Sequence, residues 1–199
     1  MKIMKKLILL AVVAMMATLS VNAQNTFVKP MVGPTFSKFT SFDDAKFKVG
    51  VVGGMEVGYY VSEPFALTAG LLVSLQGSNY KDEEYFKDQK TTMTYLNVPL
   101  LANYYVAPGF AIKAGIQPGF LLGRKSKGSE KVDGAWEDYE ITDTEGLKKL
   151  DLSIPIGLSY EFSNIVLDAR YNLGLTKIIE DVKAKNSVFM LTLGYKISF

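Results

Sequence analysis

The chain has 199 residues, 22 basic and 20 acidic side chains, 48% hydrophobic residues, and neither cysteine nor histidine. That length suits one domain, and the two missing residue types exclude disulfides, thiolate and imidazole metal sites, a lipid-bearing N-terminal cysteine, and any histidine-dependent triad or general base. With 12 Phe and 11 Tyr the chain folds rather than staying disordered. Only carboxylates, lysines and hydroxyls remain for chemistry, so no catalytic, cofactor-binding or metal-ligating residue is expected.

Residues 1–23 read as a cleaved secretory signal peptide. Lys2, Lys5 and Lys6 form a basic start, Leu7 through Met16 is purely apolar, and Val21-Asn22-Ala23 precedes Gln24. Cleavage is expected between Ala23 and Gln24, because the small residues suit a signal peptidase and the apolar run is shorter than a spanning helix needs. The leader takes three of the 22 basic residues with it, so the domain at 24–199 carries a net charge of −1. The basicity belongs to the leader, and no nucleic-acid partner is expected.

The remainder divides into eight segments whose apolar residues recur at every second position, the signature of strands. The first, 27–37, sets Val28, Val32 and Phe36 against Lys29, Met31, Gly33 and Thr35, with Pro30 and Pro34 marking an edge or a bulge. The next runs over 49–61, with Val49, Val51, Met55, Val57 and Tyr59 opposing Gly50, Val52, Gly54, Glu56 and Gly58. Segments at 65–76, 94–106 and 109–122 repeat the scheme. In the sixth, Leu152, Ile154, Ile156, Leu158, Tyr160 and Phe162 oppose Asp151, Ser153, Pro155, Gly157, Ser159 and Glu161. The seventh, from Ile165 to Thr176, embeds Asp168 and Arg170 in an otherwise apolar–small alternation, and the eighth, Phe189 to Phe199, alternates without a break.

Connections alternate in length. Short turns fall at 62–64, 107–109 and 163–164, and long charged loops at about 38–48, 77–92, 123–149 and 176–187. In an up-and-down barrel this collects the short turns and both termini at one end, the periplasmic end of a transmembrane barrel, with the long loops extracellular. The face opposite the apolar one is mostly Gly, Ser, Asn and Thr. Such residues suit the narrow interior of an eight-stranded barrel better than a water-facing sheet. Tyr59, Phe65, Tyr104, Phe110, Tyr160, Phe162 and Phe199 gather on the apolar face near the short turns, as an interfacial aromatic girdle would. The expected fold is all-β: an eight-stranded antiparallel up-and-down transmembrane β-barrel.

Gly33 to Ser37, Tyr95-Leu96-Asn97-Val98-Pro99-Leu100-Leu101, Gly115 to Gly119, Ala169-Arg170-Tyr171-Asn172-Leu173-Gly174-Leu175 and the closing Leu193 to Phe199 follow one another in an order and spacing that carry a resemblance. Across nearly all of 24–199 the chain resembles the PorT-like, or porin-like, outer membrane β-barrel domain family of Bacteroidetes. The resemblance implies an outer membrane location. It also implies that the alternate residues Tyr195, Ile197 and Phe199 form a C-terminal signal for the barrel assembly machinery. A role in secretion does not follow from fold alone.

By parity the lumen receives Lys29, Glu56, Lys113, Asp151, Glu161, Asp168, Arg170 and Lys196, four basic and four acidic groups. They are expected to pack as an ion-pair network rather than line a channel, with the Arg170 fork bridging two carboxylates. The loop over 123–149 carries Trp136 and Tyr139 among charges, and these are the contact candidates. Its acidic residues lack the Asp-x-Asp-x-Asp-Gly spacing of a calcium loop. The expected partners are outer membrane lipid and lipopolysaccharide, the assembly machinery, and envelope or secretion proteins. The expected function is a structural or interaction role, with a secretion accessory or a narrow pore as alternatives.

Overall fold

A computed structural model describes residues 25–40, 44–82, 84–132, 135–179 and 182–199. Ala23, Gln24 and the rest of the expected leader lie outside the described residues. The strands are β1 (Thr26–Phe39), β2 (Ala45–Lys46), β3 (Lys48–Ser62), β4 (Phe65–Tyr80), β5 (Phe86–Asn97), β6 (Leu100–Ala107), β7 (Phe110–Val132), β8 (Ala135–Ile141), β9 (Leu150–Phe162), β10 (Ile165–Gly174), β11 (Asn186–Tyr195) and β12 (Ile197–Ser198).

All pair antiparallel, and β11 and β12 return to β1, so the sheet closes on itself. β5 with β6 fill one wall position and β11 with β12 another, which makes the ring eight-stranded. Closure leaves no strand edge in the spanning wall, as hydrocarbon requires. Side chains then sort by parity. Val32, Met55, Leu67, Ile112, Ile156, Leu158 and Leu193 point out and are among many large apolar residues left exposed, while Lys29, Glu56, Lys113, Asp168 and Arg170 are buried inside. Such an inside-out surface is stable only against lipid.

Several boundaries differ from the sequence reading. The 94–106 segment is interrupted at Val98-Pro99, because Pro99 has no N–H for the ladder. The wall stays continuous there: Val98 N donates to Pro118 O at 2.8 Å and Gly70 N to Pro99 O at 2.9 Å. The loops expected at 77–92 and 123–149 are largely strand. β4 continues to Tyr80, β5 starts at Phe86, and β7 runs to Val132 before turning back as β8. Charged residues suit these extensions because both faces of a sheet standing beyond the barrel meet water. The wall is therefore tall on the β4–β5–β7–β8 side and low at β10, β11 and β1, which stop at Gly174, Asn186 and Phe39.

The described residues of the stretch read as a charged loop, 176–179 and 182–187, fold inward instead. Ile178 and Ala184 are fully buried with Phe39, Met93, Tyr95 and Leu121. Ile178 N donates to Ala184 O at 2.9 Å, Lys148 N to Ile178 O at 3.0 Å, and Thr40 N to Lys185 O at 2.9 Å.

Candidate functional site

The middle of the lumen holds five charges from four strands. Glu56 on β3 pairs with Lys29 on β1 at 2.8 Å, and Arg170 on β10 reaches across the barrel to give Nη1 to Glu56 Oε1 at 2.8 Å. Arg170 Nη2 donates to Asp168 Oδ2 at 3.0 Å, an oxygen that Lys113 on β7 also engages, with Lys29 3.5 Å away. One guanidinium thus bridges two carboxylates, and Asp168 faces three cations. The belt counts three positive and two negative groups, all nearly inaccessible to water. Inward parity follows from the strand period, but the partnership of Arg170 and Glu56 exists only because the barrel closes and faces opposite walls to one another.

The other three inward charges do not join this belt. Asp151, at the start of β9, is held by neutral donors, Thr176 Oγ1 and Asn186 Nδ2, each at 2.8 Å. Lys196 and Glu161 form a separate pair at the short-turn end. Lys196 Nζ donates to both Glu161 oxygens and to Tyr60 Oη at 2.7 Å, and lies 5.0 Å from the centres of the Phe27 and Tyr60 rings. Tyr60 Oη donates to Tyr105 Oη at 3.1 Å. Below them a cavity of about 710 Å³ opens between the short turns. The single network expected of eight charges is therefore three separate groups, because the lumen is longer than one side chain can bridge.

Above the belt one side of the lumen is apolar, with Met31, Val52, Leu72, Val188 and Met190 in one cluster. The inward loop of Ile178 and Ala184 then closes the long-loop end. The sequence reading missed this plug, although the adjacent apolar pair Ile178-Ile179 inside a charged stretch was a usable signal. It also missed Tyr60 and Tyr105, which share the inward parity of Glu56 and Asn103.

The seven aromatics expected to form a girdle all lie among the described residues. Tyr59, Tyr104, Tyr160, Phe162 and Phe199 are exposed, Phe65 and Phe110 are half-buried, and the pairs Phe65–Tyr104 and Phe110–Tyr160 face one another across neighbouring strands near the short turns. Tyr195, Ile197 and Phe199 are exposed on the same outer wall.

The β7–β8 hairpin presents Trp136 and Tyr139 on opposite faces, since one is even and the other odd. Trp136 is exposed and Lys87 Nζ lies 4.3 Å above its ring. Tyr139 is half-buried on the other face across from Gly128. Glu140 pairs with Lys125 at 2.7 Å and Lys127 at 3.1 Å, and Ser129 donates to Asp138 at 2.6 Å. The hydrogen bond from Lys125, and then that from Lys127, holds the Glu140 carboxyl below its ordinary pKa, and the bond to Glu140 raises that of Lys125. Among the described residues β8 pairs with β7 alone. Among the described residues no three acidic side chains converge as cation ligands.

A closed, inside-out ring of eight antiparallel strands with its charges sealed within defines a transmembrane barrel. The chain belongs to the outer membrane protein beta-barrel domain family, whose model matches residues 13–180, and it is accordingly a protein of the outer membrane. Its fold is similar to that of Ail, the attachment invasion locus protein of Yersinia pestis, at TM-score 0.53 and 17% identity, covering 87% of this chain and 99% of that one. Neisserial surface protein A is also similar, at TM-score 0.46 and 13% identity over 87% of this chain and 97% of that one. No curated protein sequence matches the chain.

Proposed function

We propose that this protein is a closed interaction barrel: a rigid outer membrane anchor that holds the β4–β5–β7–β8 sheet out from the cell surface as its contact surface. The observation that carries this reading is the uneven wall. Four strands continue past the barrel on one side, while on the other the chain turns inward and fills the lumen. A pore needs an open axis, and an eight-stranded interior already filled by side chains leaves none. In this reading the short turns and both chain ends are periplasmic, the aromatic belt sits at headgroup level, and Tyr195, Ile197 and Phe199 engage the assembly machinery. The inward charges fix the barrel's shape and carry no catalysis.

The contact surface is amphipathic, with Trp136 between Lys87 and the acidic residues of β8, which suits lipopolysaccharide of a neighbouring patch or an envelope protein. Membership in a secretion or surface-assembly system, as the PorT-like resemblance implies, would make that protein part of such a machine. A photo-crosslinking residue at Trp136 in living cells, read by mass spectrometry, tests the assignment. Reproducible capture of an envelope or secretion protein supports the interaction role and names the machine. Capture no greater than at an outward position of the spanning wall overturns the hairpin as contact surface. Discrete conductance steps in a planar bilayer would overturn the closed lumen.

A further inference from the structure

The ring does not close evenly. β1 pairs with β3 without interruption from Thr26 to Ser37. On its other side, against β11 and β12, the register is constant but residues 29–30 and 33–34 have no partners, while 27–28, 31–32 and 35–39 do. Both gaps contain a proline, Pro30 or Pro34. The two are four residues apart, so their nitrogens point to the same neighbour, and that neighbour is β11 because the β3 ladder is intact. The seam joining the first and last strands is thus interrupted twice at prolines, where the β7–β9 ladder is interrupted once, at Pro155.

On the lipid side a groove of about 520 Å³ lies over this seam. Its walls are Pro30, Val32, Ile165, Leu193 and Tyr195, and Gly194 forms part of its floor. Val32, Leu193 and Tyr195 are among the most exposed apolar residues of the wall. Met31, also in the floor, belongs on its inner side to the apolar cluster with Met190, so the floor rests on adaptable thioethers rather than on the charged belt. The groove is continuous with the lipid-facing surface and runs from Tyr195, near the short-turn aromatics, towards the mid-wall.

We infer that this groove is a seat for one hydrocarbon chain of an outer membrane lipid, held against the β1–β11 seam. The inference rests on the outer wall facing lipid. Acyl chains gain nothing from leaving one another for a flat apolar wall, but a groove offers contact on several sides, and an unfilled one would forfeit that packing. Tyr195 at the rim places an amphipathic ring where the headgroup would sit.

The test uses the full barrel reconstituted in phosphatidylethanolamine vesicles doped with a diazirine-bearing acyl chain, photolysed and mapped by peptide mass spectrometry. Labelling is expected to concentrate severalfold on 30–32 and 193–195 over the opposite wall at Ala102 and Ala114. Gly53→Phe sets a ring beside Val32, a wall of the groove, where an added Cβ has room, lying 3.8 Å from Val32 Cγ2. It should remove the excess, whereas Ala114→Phe on the far wall should leave it. Heat-modifiable mobility on gels confirms that each variant is folded. Even labelling around the circumference, or an excess indifferent to Gly53→Phe, overturns the seat while leaving the membrane barrel standing. Absence of labelling on every outward position would overturn the membrane reading itself.

Discussion

The barrel contains two clusters of lysines and carboxylates with similar short contacts, one at mid-lumen and one on the outer hairpin, and they differ in everything that follows from water. In the lumen Asp168 and Glu56 meet Lys29, Lys113 and Arg170 with almost no solvent access. On the hairpin Glu140 meets Lys125 and Lys127 with each side chain about half exposed, between 43% and 50%. Geometry alone would rank them together. Solvation separates them: a buried charge without its partner is an uncompensated ion in low dielectric, whereas an exposed one recovers its hydration. The lumen cluster is therefore irreplaceable one residue at a time and the hairpin cluster is dispensable.

The largest break comes from Asp168→Asn. It leaves Lys29, Lys113 and Arg170 facing Glu56 alone, and is expected to cost about 3–5 kcal/mol, the range for stripping one partner from a buried pair. The urea midpoint of the heat-modifiable band in detergent measures it. Adding Lys113→Met restores the wild-type excess of one positive charge, so the double variant should recover part of the loss. Arg170→Met leaves two cations on two anions and places an apolar chain in the vacated space, so it should be milder than Asp168→Asn despite deleting the larger group. The reverse order would show that hydrogen bonding by the guanidinium, rather than charge balance, sets the stability of the belt.

Lys196→Ala tests an intermediate case at the short-turn end. Glu161 and Tyr60 lose a shared ammonium, but the cavity below lets water reach the carboxylate. A loss of about 1–3 kcal/mol is expected, from a charge-assisted bond and two ring contacts. The same urea titration should place it between the lumen and hairpin variants.

How much of this was legible in the sequence follows from the same physics. Parity assigns Lys29, Glu56, Lys113, Asp168 and Arg170 to one face because the strand period is fixed at two and the other face is apolar throughout. The partners are not legible, since Arg170 meets Glu56 only after 114 residues of chain have closed into a ring. The hairpin extensions read as loops in the sequence because charged runs there interrupt the apolar alternation. Beyond the membrane both faces of a sheet are wet, and Lys125, Lys127 and Glu140 alternate there at no cost. The inward turn of Ile178 was hidden for the converse reason: two apolar residues among charges give no period, and only the empty mouth of the barrel supplies them a place.

The smallest effect is expected at Glu140. Its carboxyl is held below the usual range by Lys125 and then Lys127, so the hairpin's contribution from this group is fully present above the pKa of an unpaired glutamate and is lost as pH falls through the lower, folded value. Barrel stability should not change, because the hairpin stands outside the ring. Amide exchange over Ser126–Ile141, corrected for intrinsic rate, should accelerate as the solution is acidified below the ordinary glutamate range. Glu140→Gln should show the faster exchange at every pH. If Glu140→Gln instead lowered the urea midpoint of the whole barrel as much as Lys196→Ala does, the hairpin would be coupled to the ring. The contrast between a buried cluster that holds the fold and an exposed one that only shapes a surface would then fail.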